Sequence, residues 1–571
     1  MTSAVSKKYN PAFGLFKATL AKNMGIMLLL LCGMLILCPG LFLASLERRV
    51  LDHETFNANH PEYLDALFGF LGVTSCIAVI IGNYMSFSYL YKKNSSDVFH
   101  ALPITRAKLL ISRAAASFVT VAVPVTLGYA SLFALTAFYP TCALGTFSQI
   151  FSAYIVNIVC MAAISSYSLI FIICAGSTFD LILSFAGFNA GSLVIGFMIA
   201  DLASENLSGY SSQSMADIFK FTSFPAYCGI GAARFAEGDG YAGYLPGKNA
   251  GYIICTLLFA LFFFAASVLL YNRRKAERGG QPYAYKFIYV VCSIIAGVCG
   301  GYILSPIFVF VSGSRLLSVI GIVSFAVGAT LTAVVYGAVT ERGFKKFTNS
   351  LIYGGISLAV YLVVFAVIAN GAFGFSSRIP DEKNIESAFI EYRGYSIELD
   401  NAGPVIALHK AIIEKDADDF NIDNVDTYHE QFMIIYNLKD GGKFYREYFA
   451  DIEKVGGEMF SVLNSNERFE DWYKALDGVR ESGLYINVFD ENGDSFDCKV
   501  TKEDCKNLIK IYKEEFKTKG MEIVNANKTG DISVYLQGVG NSYDEYVLSF
   551  ETNGNFTETR ALINTFERIE Y

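Results

Sequence analysis

Hydrophobic positions in this 571-residue chain come in long unbroken blocks up to about residue 373, and in short alternating or helically spaced stripes after it. Blocks near the ~20 residues that a bilayer core requires predict membrane spans. They fall at 24–46, 66–90, 114–138, 150–175, 181–202, 251–271, 287–311, 316–340 and 351–373. Ahead of the first, Phe13, Phe16 and Leu20 recur at spacings of three and four among Lys7, Lys8, Lys17 and Lys22, which predicts an interfacial helix within 1–23. The segment 203–250 between spans holds Phe219, Phe221, Phe224, Tyr227 and Phe235, which calls for short re-entrant or interfacial helices to bury the rings. Beyond residue 376 the pattern predicts helices at Pro404–Lys415 and Thr501–Lys519, the second with Thr501 as N-cap and Cys505, Leu508, Ile509, Tyr512 and Phe516 as its stripe. Strand pairs bracket turns at 439–442 and 491–494. The predicted fold is a polytopic α-helical membrane protein of about nine transmembrane helices with a C-terminal α+β domain, as one body or as two small units joined near Val479.

One polar interruption has structure of its own. In YLYKKNSSDVFHALPITRAKLL, Ser95, Ser96 and Asp97 supply a helix start, Val98, Phe99 and Leu102 share a face, and Pro103 stops the turn before Thr105 caps the next helix. A two-turn amphipathic helix is therefore predicted between two spans. It can lie on lipid with Lys92, Lys93, Arg106 and Lys108 reaching phosphates. Alternatively, Phe99 and Leu102 form a knob for a groove on a cytoplasmic partner, the reading favoured here.

Charge separates two environments. Residues 1–375 carry 23 Lys+Arg against 14 Asp+Glu, and residues 376–571 carry 22 against 39, so the membrane body is about +9 and the tail about −17. With the N-terminus inside, the inner segments hold 17 basic residues and the outer loops six, the bias expected of cytoplasmic loops. An odd number of spans then places the acidic domain outside the cytoplasmic membrane. This balance gives no support to nucleic-acid binding. Eight of the 12 Cys lie in apolar blocks, and Cys498 and Cys505 in the tail form a pair that can be bridged or free.

The interruption resembles the coupling helix of ABC-type exporter permeases, and more narrowly a Gram-positive subfamily whose loop reads Leu-x-x-Lys-x-Ser-x-Asp-x-x-His-x-Leu-Pro-x-x-Arg. Here those positions are Leu90, Lys93, Ser95, Asp97, His100, Leu102, Pro103 and Arg106. In the tail, RIPDEKNIESAFI, LHKAIIEKDAD and YNLKDGGKFYREY are similar to the outer domain of the same subfamily. The resemblance implies a six-helix permease core over 24–271, with a coupling helix at 95–108 and re-entrant helices in the outer loop 203–250. Three additional spans over 272–373 and an extracellular domain at 376–571 follow. It implies that Ser96, Asp97, Phe99, His100, Leu102, Pro103 and Arg106 couple to a separate cytoplasmic ATPase subunit. It also implies pairing with a second permease, identical or related, contact with membrane lipids, and export of a peptide, lipid or antibiotic-like compound across the cytoplasmic membrane.

The residues carry little other chemistry. No GxxxxGK[ST] phosphate loop occurs, and the fragment Pro246-Gly247-Lys248-Asn249 lacks the upstream Gly, so ATP hydrolysis is expected on a partner chain. Ionisable groups are absent at mid-span, with Asp180, Asp201 and Glu205 at or beyond helix ends, which argues against an ion-driven carrier. Asn157, Ser165, Ser166 and Asn189 read as helix–helix hydrogen bonds ahead of substrate ligands. His53, His60, His100, His409 and His429 make no ligand pair, and Asp418-Asp419 reads as a solvated face. No cofactor or metal is expected on this chain, and no enzyme active site is evident. The competing reading is a membrane-anchored sensor or assembly protein with an extracellular binding domain.

Overall fold

The computed structural model describes residues 11–51, 62–138, 147–233, 250–313, 316, 318–344, 347–392, 395–416, 429–439, 441–478, 484–489, 495–525, 532–539, 544–552 and 555–569. Lys7, Lys8, His53, His60, Phe235, the fragment at 246–249, Asp418-Asp419, Val479 and the turn at 491–494 lie outside them. The chain divides into two units, one of Met1–Ala200 with Met215–Phe365 and one of Asp201–Ser214 with Ala366–Tyr571.

Among its described residues the first unit is built of helices, two of which run on past Ala200 and Phe365 into the second unit. Its elements are α1 (Pro11–Lys22), α2 (Met24–Leu51), α3 (Glu62–Phe87), α4 (Lys93–His100), α5 (Arg106–Phe138), α6 (Phe147–Cys174), α7 (Thr178–Asn206), α8 (Met215–Thr222), α9 (Phe224–Ala233), α10 (Ala250–Arg273), α11 (Lys286–Ser312), α12 (Val319–Thr340) and α13 (Phe347–Ala369). Among the described residues eight helices are long and apolar enough to cross a membrane, and a ninth span arises if α1 and α2, bent by 57°, count as one. The bend falls at Asn23, whose side-chain amide donates to Ser86 Oγ at 2.9 Å. Helix α5 starts at Arg106, eight residues before its apolar block, because Thr105 caps it: the Lys108 amide donates to Thr105 Oγ1 at 3.4 Å.

Polar residues inside the bundle join helices. Ser75 Oγ donates to Asn157 Oδ1 at 2.7 Å, and Asn83 Nδ2 reaches Ser165 Oγ at 3.1 Å and Ser168 Oγ at 3.0 Å, tying α3 to α6. Tyr167 donates to Asn189 Oδ1 at 3.0 Å. The aromatic segment after α7 does form two short helices, α8 and α9. Phe224 of α9 packs against Tyr167, Phe259 and Phe263, whereas Phe221 of α8 is exposed.

The second unit contains two sheets. Its elements are β1 (Ile385–Tyr392), β2 (Tyr395–Leu399), α14 (Gly403–Asp416), β3 (His429–Leu438), β4 (Lys443–Asp451), α15 (Ile452–Leu463), α16 (Asn466–Gly478), β5 (Tyr485–Phe489), β6 (Ser495–Lys499), α17 (Lys502–Asn525), β7 (Ile532–Val539), β8 (Asp544–Thr552), α18 (Thr557–Ile563) and β9 (Glu567–Arg568). The sheet orders are β2-β1-β3-β4 and β8-β7-β5-β6-β9. Apart from the edge strand β9, the second order is the first read backwards. Each module is therefore a hairpin, a helix, a second hairpin and a closing helix, with the first strands of the two hairpins paired at the centre. Helix α15 packs on both α14 and α17, and Phe460 stacks on Phe516 at 5.7 Å, so the modules share one hydrophobic core. Cys498 and Cys505 are both free and buried, Cys505 in this core.

Within the first module His409 is buried between two phenols, with Nδ1 3.0 Å from the Tyr436 hydroxyl and Nε2 2.8 Å from that of Tyr448. Burial, aided by the Arg446 guanidinium, pushes its pKa down from the usual 6.5 to about 3. Between those values the unfolded chain binds a proton that the folded chain refuses. Stability is therefore full above about pH 6.5 and falls by about 1.4 kcal/mol per pH unit on the way down. His409→Phe is expected to flatten this acid slope in thermal melts of the detergent-solubilised chain, and a slope equal to the parent's would refute the assignment.

The exit of α13 is unusual. Gly371, Ala372, Phe373 and Gly374 have φ of 77°, 45°, 57° and 83°, four consecutive left-handed residues. The two that are not glycine cost about 1–2 kcal/mol each, so the turn persists only where its surroundings hold it.

Candidate functional site

The short helix α4 is shaped by what precedes it. Ser88–Tyr91 form a 3-10 turn off the end of α3, with Tyr89, Leu90 and Tyr91 buried, and Lys92 is extended (φ −116°, ψ 117°) before α4 begins at Lys93. The helix therefore starts two residues earlier than the Ser95-Ser96-Asp97 signal indicates, and no side chain caps it. The buried turn delivers the backbone already curled, and the Ser96 amide donates to the Lys92 carbonyl at 2.9 Å. At the other end the Ala101 amide reaches the Asp97 carbonyl at 3.0 Å, and Pro103 sits exposed in the turn to α5.

The predicted residues lie together on this segment, but they do not face one way. Ser96 is buried, and Asp97 and Val98 point outward, Val98 at 65% exposure. Phe99 and Leu102 are half-buried and pack on the chain's own core of Tyr89, Leu90, Leu109, Leu110 and Ala114. The Phe99 ring lies 4.6 Å from that of Tyr89, and the Arg113 guanidinium sits 4.0 Å from Phe99 and 4.2 Å from Tyr89. Phe99 and Leu102 do share a face, but Val98 points away from it, and the apolar surface that the face meets is the chain's own core. His100 is the last residue of α4, and its side chain lies outside the described residues. Arg106 is half-buried and engaged in bonds to carbonyls.

Arg106, predicted as a coupling residue, and two arginines that sequence reasoning treated only as topological charges, Arg113 and Arg274, organise the surroundings. A helix leaves its last carbonyls unpaired and its C-terminus partly negative, so a guanidinium there satisfies both. Arg113 of α5 donates to Ser86 O at the end of α3. Arg274 donates to Ile173 O and to Ala175 O at 3.0 Å at the end of α6, and its second amino group reaches Leu90 O at 3.0 Å. Arg106 donates to Asn272 O at 3.1 Å and Arg274 O at 2.6 Å at the end of α10. Tyr89 and Tyr271 share a hydroxyl bond of 2.6 Å between them, and Tyr91 donates to Ile172 O at 3.2 Å. The missed signal for Arg274 was its position just past the end of α10, whereas Arg113 lies two turns inside α5 and carried no local mark.

A backbone seam completes the support. Cys174 O accepts from the Ala284 amide at 2.9 Å, Gly176 O accepts from the Gly280 amide at 2.9 Å, and Ala175 bridges to Tyr283. Chemically the site offers no set of metal ligands among the described residues. Its arrangement is mechanical: α4 is seated through Phe99 and Leu102 on Tyr89, Arg113 and the core around them, the turns before and after it are tied by Arg274 and Arg106 to the ends of α6 and α10, and Lys93, Asp97, Val98 and Ala101 remain on its exposed side. No family model, no curated protein and no solved structure matches the chain.

Proposed function

We propose that the chain is the permease subunit of an ABC-type exporter of the Gram-positive subfamily that its loop and tail resemble. In this reading nine spans cross the cytoplasmic membrane, the N-terminus and α4 lie inside, and the α+β unit lies outside. A separate ATPase subunit docks on α4, and a second permease, identical or related, completes the transporter for a peptide, lipid or antibiotic-like compound. The observation that carries the reading is that α4 is seated through Phe99 on Tyr89 and Arg113, while Arg274, bonded to Leu90 in the turn before it, and Arg106, just after it, tie its flanks to the ends of α6 and α10. A push on α4 reaches those helices without passing through a flexible loop. The excess of basic residues in the loops on that side supports the orientation.

The packing also moves the docking contact. With Phe99 turned inward, the outward anchor is Val98, flanked by Asp97 and Ala101. Val98→Asp places an unpaired charge in an apolar seat and is expected to cost ~2 kcal/mol or more, roughly a thirtyfold loss in association with a co-expressed ATPase subunit, at unchanged membrane abundance. Phe99→Ala should instead lower the chain's own thermal stability. ATPase recovery on the tagged chain, unchanged by Val98→Asp but lost with Lys92→Glu and Lys93→Glu, would sink the docking reading in favour of a helix that rests on lipid.

A further inference from the structure

The two α+β modules provide an internal control for one another. Buried positions of α14, Val405, Leu408, His409 and Ile412, follow the same spacing as Cys505, Leu508, Ile509 and Tyr512 of α17. Across the sheets, the pairs Phe432↔Tyr448, Ile434↔Arg446 and Tyr436↔Phe444 of the first module match Ile532↔Thr552, Val534↔Phe550 and Leu536↔Leu548 of the second. His409, Tyr436 and Arg446 thus occupy positions that the second module fills with Ile509, Leu536 and Phe550. A core of this shape does not require them.

What the polar set touches explains its presence. Arg446 lies with its guanidinium 3.7 Å from the Phe375 ring and 4.2 Å from that of Phe444, and donates to Phe375 O at 2.7 Å and Arg378 O at 3.2 Å. Phe375 directly follows the left-handed turn at the exit of α13, and its amide closes that turn on Gly371 O at 2.8 Å. Tyr448, two residues along the same strand, is the seat for Gly209 (φ 77°) in the segment after α7, where an added Cβ would lie 2.5 Å from the Tyr448 hydroxyl. His409 holds Tyr448 in place. Both segments belong to the second unit.

We infer that the first module is a two-point clamp: strand β4 grips, through Arg446 and Tyr448, the chain leaving α13 and the chain leaving α7, so that displacements of either helix are delivered to one strand. The second module, with Phe550 and Thr552 at the positions that match Arg446 and Tyr448, takes no part in the grip.

Hydrogen–deuterium exchange on the full chain in detergent tests this. Arg446→Met is expected to speed exchange at 371–378 tenfold or more, with β1 and β3 unchanged. Gly209→Val, acting from the other segment, should do the same across 203–214 and in β4. Phe550→Leu, the matched position in the second module, should loosen β7 and β8 and leave both segments as they were. Unchanged exchange at 371–378 in a folded Arg446→Met chain, or at 203–214 in Gly209→Val, would overturn the clamp. So would an equal rise throughout β1–β4, which would make the polar set ordinary core, or a rise in both segments caused by Phe550→Leu. If Arg446→Met does not fold, the Gly209→Val and Phe550→Leu pair decides between the same outcomes.

Discussion

Gly176→Ala is expected to leave little correctly assembled protein. Gly176 lies in the seam between the end of α6 and residues 280–285, and a Cβ there would fall on the Gln281 carbonyl oxygen, with Gln281 C at 2.9 Å and Arg278 O at 3.1 Å. All three are backbone atoms, so no side chain can swing aside. Overpacking a core by a methylene costs about 1–3 kcal/mol where side chains adjust, and the cost here exceeds that because the seam itself has to part. Parting it releases the bonds from Ala284 to Cys174 and from Gly280 to Gly176, and shifts the Ala175 carbonyl that Arg274 uses. Membrane abundance and the melting temperature of whatever is extracted should both fall. Gly187→Ala, where nothing lies within 4 Å of the added methyl, is the matched control. Equal abundance and equal melting for the two variants would show that the seam is not built as described.

Arg274→Met should have the next largest effect, by a different route. The substitution nearly keeps the volume and removes the fork, leaving the carbonyls of Leu90, Ile173 and Ala175 buried without this donor. Each buried group left unpaired costs about 1–3 kcal/mol, so a loss on the order of 3 kcal/mol or more is expected in thermal unfolding. Leu90 belongs to the turn that leads into α4, so protease cleavage within 92–105 should rise even below the melting range. Arg274→Lys keeps the charge but not the planar fork and should recover only part of the loss. A variant that melts lower with no change in cleavage at 92–105 would detach Arg274 from α4.

The spans were legible because twenty or so apolar residues in a row are costly to keep in water and match the thickness of a bilayer, and the hairpin around Gly441 was legible because its turn residues dictate the backbone. The existence of α4 was legible too, since a short polar stretch closed by Pro103 separates two apolar blocks, but its start at Lys93, ahead of the Ser95-Ser96-Asp97 signal, was not. Nor was the direction in which it faces. Periodicity places Phe99 and Leu102 on a shared side, but which apolar surface that side meets depends on Tyr89 and Arg113 arriving from neighbouring elements. The same limit hid the likeness of the two modules, although two small units joined near Val479 was one of the readings. Their likeness lies in strand order and pairing register, whereas the residues at matching positions, Arg446 against Phe550 and His409 against Ile509, share no chemistry. The membership of Asp201–Ser214 in the second unit depends on a contact made far along the chain and leaves no local mark.

That last feature bears on how the protein is made. Gly209 leaves the ribosome about 240 residues before Tyr448, a delay of roughly 10 to 50 s at ordinary rates of synthesis. Throughout that interval the segment after α7 has no strand to settle on, while α10 to α13 are still being inserted. The unit built from Asp201–Ser214 and Ala366–Tyr571 can close only once β4 has been translated, so its closure cannot precede the synthesis of α10 to α13.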